Sequence, residues 1–202
     1  MHDAPINPRG PEPTTPTARL APVATVATSR VSRAFWAVVC LLASVGADAP
    51  SRPDHARLEQ WVKTLASPEF EGRRGEGGRK SASVLVDEFR RLKLEPLFQD
   101  QYVQTVPATP PVNAPGRNVG AVLRGSDPTL RDQYVVVSAH YDHLGVRDGV
   151  LYPGADDNAS GVAMMLETAR CLATAAERPR RSVAFIGFDL EEAGLYGSRY
   201  YV

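Results

Sequence analysis

Two short apolar runs, Tyr134–His140 (YVVVSAH) and Ser182–Phe188 (SVAFIGF), flank a stretch in which Val162, Met165, Leu166, Ala169 and Leu172 recur at helical spacing. Nearly unbroken apolar runs of this length predict strands buried on both faces. A strand, a helix and a second strand in succession predict a right-handed crossover between two parallel strands. The fold class expected is α/β, with a mixed, mostly parallel sheet flanked by helices. In such sheets, groups that handle ligands collect beyond the carboxyl ends of the strands.

The flanking sequence extends this plan. NVGAVLRG (Asn118–Gly125) is a further strand, expected to pair antiparallel with Tyr134–His140 across a loop through Gly125 and Pro128. Leu58, Trp61, Val62 and Leu65 mark an amphipathic helix starting near Asp54. Ala82, Leu85, Val86, Phe89 and Leu92 mark another. The stretch between them, SPEFEGRRGEGG (Ser67–Gly78), has four glycines and reads as a surface loop. It is not a phosphate cradle, because no strand precedes it and no Gly-Lys-Ser follows. Gln101–Val106 reads as a short strand, stopped by the proline-rich connection Pro107–Gly116.

Residues 1–30 are rich in Pro, Thr and Ala with almost no large apolar side chain, so they are expected to be a disordered extension. In residues 31–49, Arg33 precedes the apolar run Ala34–Val45 and the small residues Gly46, Ala47 and Ala49 follow it. That run is shorter than the roughly 20 residues needed to span a bilayer. Basic flank, short apolar core and small-residue exit describe a signal peptide cut after Ala47, and hence a secreted or periplasmic protein without stable membrane insertion. A buried helix or short anchor is the other reading. Residues 50–202 make up the globular domain.

Charge and sulfur exclude several functions. The 23 basic and 23 acidic residues cancel and the arginines are scattered, so no field for nucleic acid exists. Two cysteines, Cys40 and Cys171, are too few for a disulfide framework or a thiolate metal site. A metal would have to be held by histidine and carboxylate.

Three runs offer those groups: SAHYDH (Ser138–His143), GADDN (Gly154–Asn158) and LEEAG (Leu190–Gly194). His140 ends one predicted strand, and Glu191 and Glu192 follow the end of the other, so the crossover delivers both to one sheet edge. Asp156 and Asp157 stand at the start of the crossover helix. There the plain reading is that Asp157 or Asn158 serves only as a cap, although capping alone leaves the flanking Gly154 and Gly161 unexplained. Asp142, two residues after His140, is placed to accept a hydrogen bond from its ring N–H and so direct the other nitrogen to a metal. A lone strand-end histidine or a Glu-Glu pair is more often structural or solvated; the order of all three runs is far more specific.

SAHYDHLG, PGADDNASGVA and FDLEEAGLYGS resemble the successive signature blocks of the secreted di-zinc aminopeptidases, family twenty-eight of the metallopeptidases. LASPEFEGRR resembles a segment that many bacterial members carry upstream. The likeness covers roughly residues 54–202. It implies His140 as ligand of one zinc, Glu192 as ligand of the other, and Asp157 as the carboxylate bridging both. It implies Glu191 as general base, Asp142 as the partner orienting His140, and a cis peptide at Asp157–Asn158. The activity implied is removal of N-terminal residues from peptides, by a water acidified between two metals and deprotonated by Glu191.

The sequence departs from the family pattern in one respect. The pattern includes a further Asp and a further His, one for each zinc, and the residues after Glu192, AGLYGSRYYV, contain neither. His143 is expected to face away from the site. The expectation is therefore the amino-terminal part of such a domain, with two protein ligands per zinc, a sheet lacking later strands, and impaired activity. A single-zinc acyltransferase of the glutaminyl-cyclase kind and a non-catalytic binding module are the alternatives. The intact ADDN block argues against the first, and intact Asp157, Glu191 and Glu192 argue against the second.

Overall fold

The run Ser182–Phe188 lies at the centre of the sheet, with partners on both edges. The computed structural model describes residues 52–202; the readings of 1–30 as an extension and 31–49 as a signal lie outside these residues. In chain order the elements are α1 (His55–Leu65), a 3-10 turn (Pro68–Arg73), α2 (Glu76–Arg91), β1 (Glu95–Pro96), β2 (Val103–Val106) and β3 (Gly116–Leu123). After these come β4 (Tyr134–His140), β5 (Gly145–Arg147), β6 (Val150–Tyr152), a wide turn (Ala155–Ser160), α3 (Gly161–Ala173), β7 (Ser182–Phe188) and α4 (Tyr196–Tyr201). Among the described residues no helix is long and apolar enough to cross a membrane.

The sheet runs β1-β3-β7-β4, with β2 also paired to β3, and β5 and β6 form a separate hairpin. It is mixed, as the sequence predicts, but its parallel pairing is confined to β4 and β7. The predicted pairing of β3 with β4 does not occur. The crossover through α3 returns β7 between them, antiparallel to β3 and parallel to β4. Both edges of β7 are thereby paired, and Ser182 to Gly187 are buried.

Burial of β4 on both faces is corrected too. Tyr134, Val135 and Val136 are 48%, 49% and 53% exposed, because β4 has a partner on one side only among the described residues. Its apolar composition therefore reports strand propensity in the first half and burial only towards Ala139.

The helices form where their stripes predict. Asp54 caps α1, its Oδ1 accepting from the Ala56 and Arg57 amides at 2.9 and 3.4 Å. Leu65 of α1, Leu85 and Phe89 of α2, and Val162, Met165 and Leu166 of α3 are fully buried with Val119 and Phe185 of the sheet. Each such side chain contributes roughly 1.5–3 kcal/mol by leaving water. Helices α1, α2 and α3 are further joined by two buried carboxylates. Glu167 accepts from the Asp54 amide at 2.7 Å and from the Arg170 and Arg57 guanidinium groups. Glu88 accepts from Arg57 and Arg91. A buried carboxylate is tolerated only when paired in this way.

Ser67–Gly78 is not the surface loop expected from its glycines. Its first half forms the 3-10 turn and its end opens α2, with Phe70, Gly72, Arg73, Gly77 and Gly78 buried. Glu71, Gly72 and Arg73 follow one another with φ of 51°, 62° and 53°. That left-handed reversal turns the Arg73 side chain inwards.

Candidate metal centre

Parallel register brings the ends of β4 and β7 together. His140 stands opposite Phe188, and the Tyr141 amide donates to the Phe188 carbonyl at 2.9 Å, so the segments leaving both strands start side by side. Asp142 then ties them. Its Oδ1 accepts from the Glu191 amide at 3.1 Å and its Oδ2 from the Glu192 amide at 3.2 Å. The Glu-Glu pair is thus held against the β4 end by a buried carboxylate.

His140 Nδ1 lies 3.2 Å from the main-chain carbonyl of Asp142 and 3.6 Å from its Oδ1. A proton on Nδ1 is accommodated there, leaving Nε2 to face Asp157 Oδ1 at 3.1 Å. Burial favours the neutral ring, but hydrogen bonding to Asp142 and the charges of Asp142, Glu191 and Asp157 outweigh it and raise the His140 pKa.

Asp157 reaches this point from the wide turn between Gly154 and α3. Gly154 has a left-handed φ of 58°, and a β-carbon there would strike the Asp157 carbonyl, the Arg73 guanidinium and the His143 ring. The Asp157–Asn158 peptide is cis, as the resemblance implies. Asn158 Oδ1 accepts from the Gly161 amide at 3.0 Å. Asn158 therefore does the capping near the start of α3 and leaves the Asp157 carboxylate, 63% exposed, free to face the histidines. Asp156 is exposed.

His143 differs from expectation. Instead of facing away, it is buried, with Nδ1 2.7 Å from Glu192 Oε1 and 3.9 Å from Asp157 Oδ2. Donor atoms of His143, Asp157 and Glu192 all lie within 4.8 Å of one another. Asp157 thus presents Oδ1 to His140 and Oδ2 towards His143 and Glu192, one carboxylate between two groups of donors. Imidazole nitrogens and carboxylate oxygens without sulfur suit zinc, and also accommodate cobalt or manganese.

Comparison with known proteins points the same way as the site. Residues 118–202 match the model described as Peptidase family M28. This part of the chain resembles that family. A probable zinc metalloprotease of Pyricularia oryzae is 47% identical over 88 residues, covering 41% of this chain and 16% of that protein. Aminopeptidase YwaD of Bacillus subtilis is 44% identical over 68 residues, covering 34% of this chain and 13% of that protein. The chain thus spans a minor part of the length of these relatives. The likeness of fold extends upstream of residue 118. A Zn-dependent exopeptidase from Parabacteroides distasonis superposes with a TM-score of 0.60 at 19% identity, covering 76% of this chain and 56% of that one. Glutaminyl cyclase from Porphyromonas gingivalis superposes with a TM-score of 0.57 at 22% identity, covering 73% and 52%. These two likenesses concern the fold alone.

Around this centre, Asp189 follows β7 with its side chain half-buried. Burial and the nearby Asp142 charge raise its pKa, against hydrogen bonds from the Arg117 and Leu190 amides and from Tyr141. Asn118, also buried, donates to Gln104 Oε1 and the Gly197 carbonyl, each at 2.8 Å, and so seats α4 beside the β7 end. Arg73 is the residue that sequence reasoning passed over. Its stretch reads as surface for its glycines, although the apolar Phe70 beside them signals a packed turn. It is fully buried behind Asp157 and Tyr141.

Proposed function

We propose that this chain carries the centre of a zinc-dependent aminopeptidase, acting on N-terminal residues of peptides, in an exported protein. The observation that supports the reading best is the placement of Asp157 between His140 on one side and His143 with Glu192 on the other. In this reading His140 and Asp157 would hold one zinc, Asp157 and Glu192 would hold a second, and His143 is within reach of the second. Zinc bound there supplies polarisation of the scissile carbonyl and acidification of the attacking water.

The remaining work falls to the chain's own side chains. Glu191 takes a proton from the attacking water on its carboxylate and returns it to the leaving amine. Asp142, by accepting the Glu191 and Glu192 amides, fixes where those two carboxylates begin. The Asp142 carbonyl keeps the proton of His140 on Nδ1 and its Nε2 free for metal. Among the described residues the His140 side has two donors, fewer than the three usual at catalytic zinc, so activity of these 202 residues is expected to be low.

The test is metal content and hydrolysis of aminoacyl p-nitroanilides by the 202-residue protein with added zinc. Expected are zinc-dependent turnover, weak but measurable, and its loss in Glu191→Gln with zinc binding retained. Cyclisation of N-terminal glutamine without release of amino acids would favour the acyltransferase reading. Zinc binding with neither reaction would favour a binding module.

A further inference from the structure

Arg73 is the largest fully buried side chain among the described residues. Its guanidinium is saturated entirely by main-chain carbonyls. Nε donates to Tyr141 at 2.8 Å; Nη1 donates to Leu65 at 3.0 Å and Pro153 at 2.6 Å; Nη2 donates to Gly154 at 2.7 Å and Asp157 at 3.1 Å. These carbonyls come from the end of α1, the residue after His140, and the turn that carries Asp157. One rigid fork therefore joins the two segments that must meet for His140 to face Asp157. Burial pulls the guanidinium pKa down, against the charges of Asp142, Asp157 and Glu192. The group nevertheless stays charged, since arginine is not deprotonated in proteins.

Three features set this apart from ordinary packing. A buried cation is expensive unless compensated, and here the compensation comes from carbonyl dipoles and from carboxylates that face the metal centre. Arg73 also sits in the left-handed region, which a residue with a β-carbon occupies only when its surroundings enforce it. Its fork geometry has no counterpart in lysine, a single point charge with three donors.

We propose that Arg73 is a positioning residue for the metal centre, locking the segment after β4 and the Pro153–Asp157 turn in the one register that sets Asp157 between its two groups of donors. The proposal rests on the reading of this centre as a metal site. In this role Arg73 acts through Asp157 and touches neither metal nor substrate. It also supplies a fixed positive charge behind three carboxylates, which limits their mutual repulsion before a metal arrives.

The experiment measures zinc affinity of the 202-residue protein by competition with a chromophoric chelator, for wild type, Arg73→Lys, Arg73→Ala and Gly154→Ala. Apo-protein melting is followed alongside. Expected is a fall in affinity of about 10–100-fold in Arg73→Lys, with cooperative melting of the apo-protein retained. Millimolar guanidinium, far below denaturing concentration, should restore part of the affinity of Arg73→Ala and none in Gly154→Ala, where the new β-carbon displaces the fork. Wild-type affinity in Arg73→Lys would overturn the proposal. So would failure of Arg73→Lys to fold without metal, since the role would then be plain structure. Absence of zinc binding by wild type would instead overturn the metal-site reading, and the proposal with it.

Discussion

His143 Nδ1 and Glu192 Oε1 meet at 2.7 Å, although one residue follows β4 and the other follows β7. Both are largely shielded, with side chains 9% and 17% exposed, so the contact is not a loose surface pair. The ring fixes which way one carboxylate oxygen of Glu192 turns, and its own nitrogen lies at the edge of the same donor group. His143→Ala is therefore expected to weaken zinc binding by tenfold or more. His143→Gln, which can still donate to Glu192, should lose less. Chelator competition on the two variants checks the order, and equal affinities to wild type would remove His143 from the centre.

Asp142 makes a separate prediction, because its carboxylate serves the Glu-Glu segment and not the histidine ring alone. Asp142→Asn leaves only one oxygen for two amides, and an unsatisfied buried donor costs about 1–3 kcal/mol. The urea midpoint should fall accordingly, and zinc-dependent turnover should fall further than stability explains, since Glu191 is displaced with Glu192. A variant of normal stability and turnover would show that the two amide contacts at 3.1 and 3.2 Å are incidental.

How far the sequence could be read depended on whether the signal was local. The stripes of α1, α2 and α3 were legible because burial on one face imposes its own period on the residues. The crossover was legible because parallel strands need a helix between them. The partners of β3 and β4 were not, since two apolar strands carry no mark of which third strand will insert between them. For the centre, resemblance points to His140, Asp157 and Glu192, and the structure brings their side chains to one edge. Arg73 and His143 escaped for a physical reason. Arg73 is recruited by carbonyls from three distant segments, of which only the apolar Phe70 gives a local hint, and His143 faces Glu192 only because β4 and β7 lie in parallel register.

The pH response of the fold should be visible away from the centre. Asp127 accepts from the Thr129 hydroxyl, from Arg180 through two nitrogens and from the Thr129 amide, and these partners hold its pKa well below the ordinary carboxylate value. A group whose folded pKa is depressed adds stability that is present above its unfolded pKa, near 3.9, and lost as pH falls towards the folded value. Asp127→Asn should therefore melt below wild type at pH 7, and the gap should narrow progressively below about pH 4. A gap independent of pH in thermal melts from pH 7 to pH 3 would assign the effect to shape and not to charge.

Asp157 is the member of the centre that the fold least requires, and this makes it the sharpest test of metal binding. Its side chain is 63% exposed, and its carboxylate faces His140 and His143 while the neighbouring Asn158 supplies the contact to the start of α3. Replacing an exposed side chain away from caps and cores usually changes stability by no more than about 0.5 kcal/mol. Asp157→Asn should thus unfold in urea almost like wild type. Phe185→Ala, which empties a fully buried site against Phe89, should lose about 3–5 kcal/mol. Zinc affinity should respond in the opposite order. Asparagine keeps the shape but removes the charge shared by both groups of donors, so Asp157→Asn is expected to lose zinc binding outright, while any Phe185→Ala protein that remains folded keeps most of it. Chelator competition and urea titration on the same two preparations measure both quantities, and retention of tight zinc binding by Asp157→Asn would mean that this carboxylate does not bridge metals.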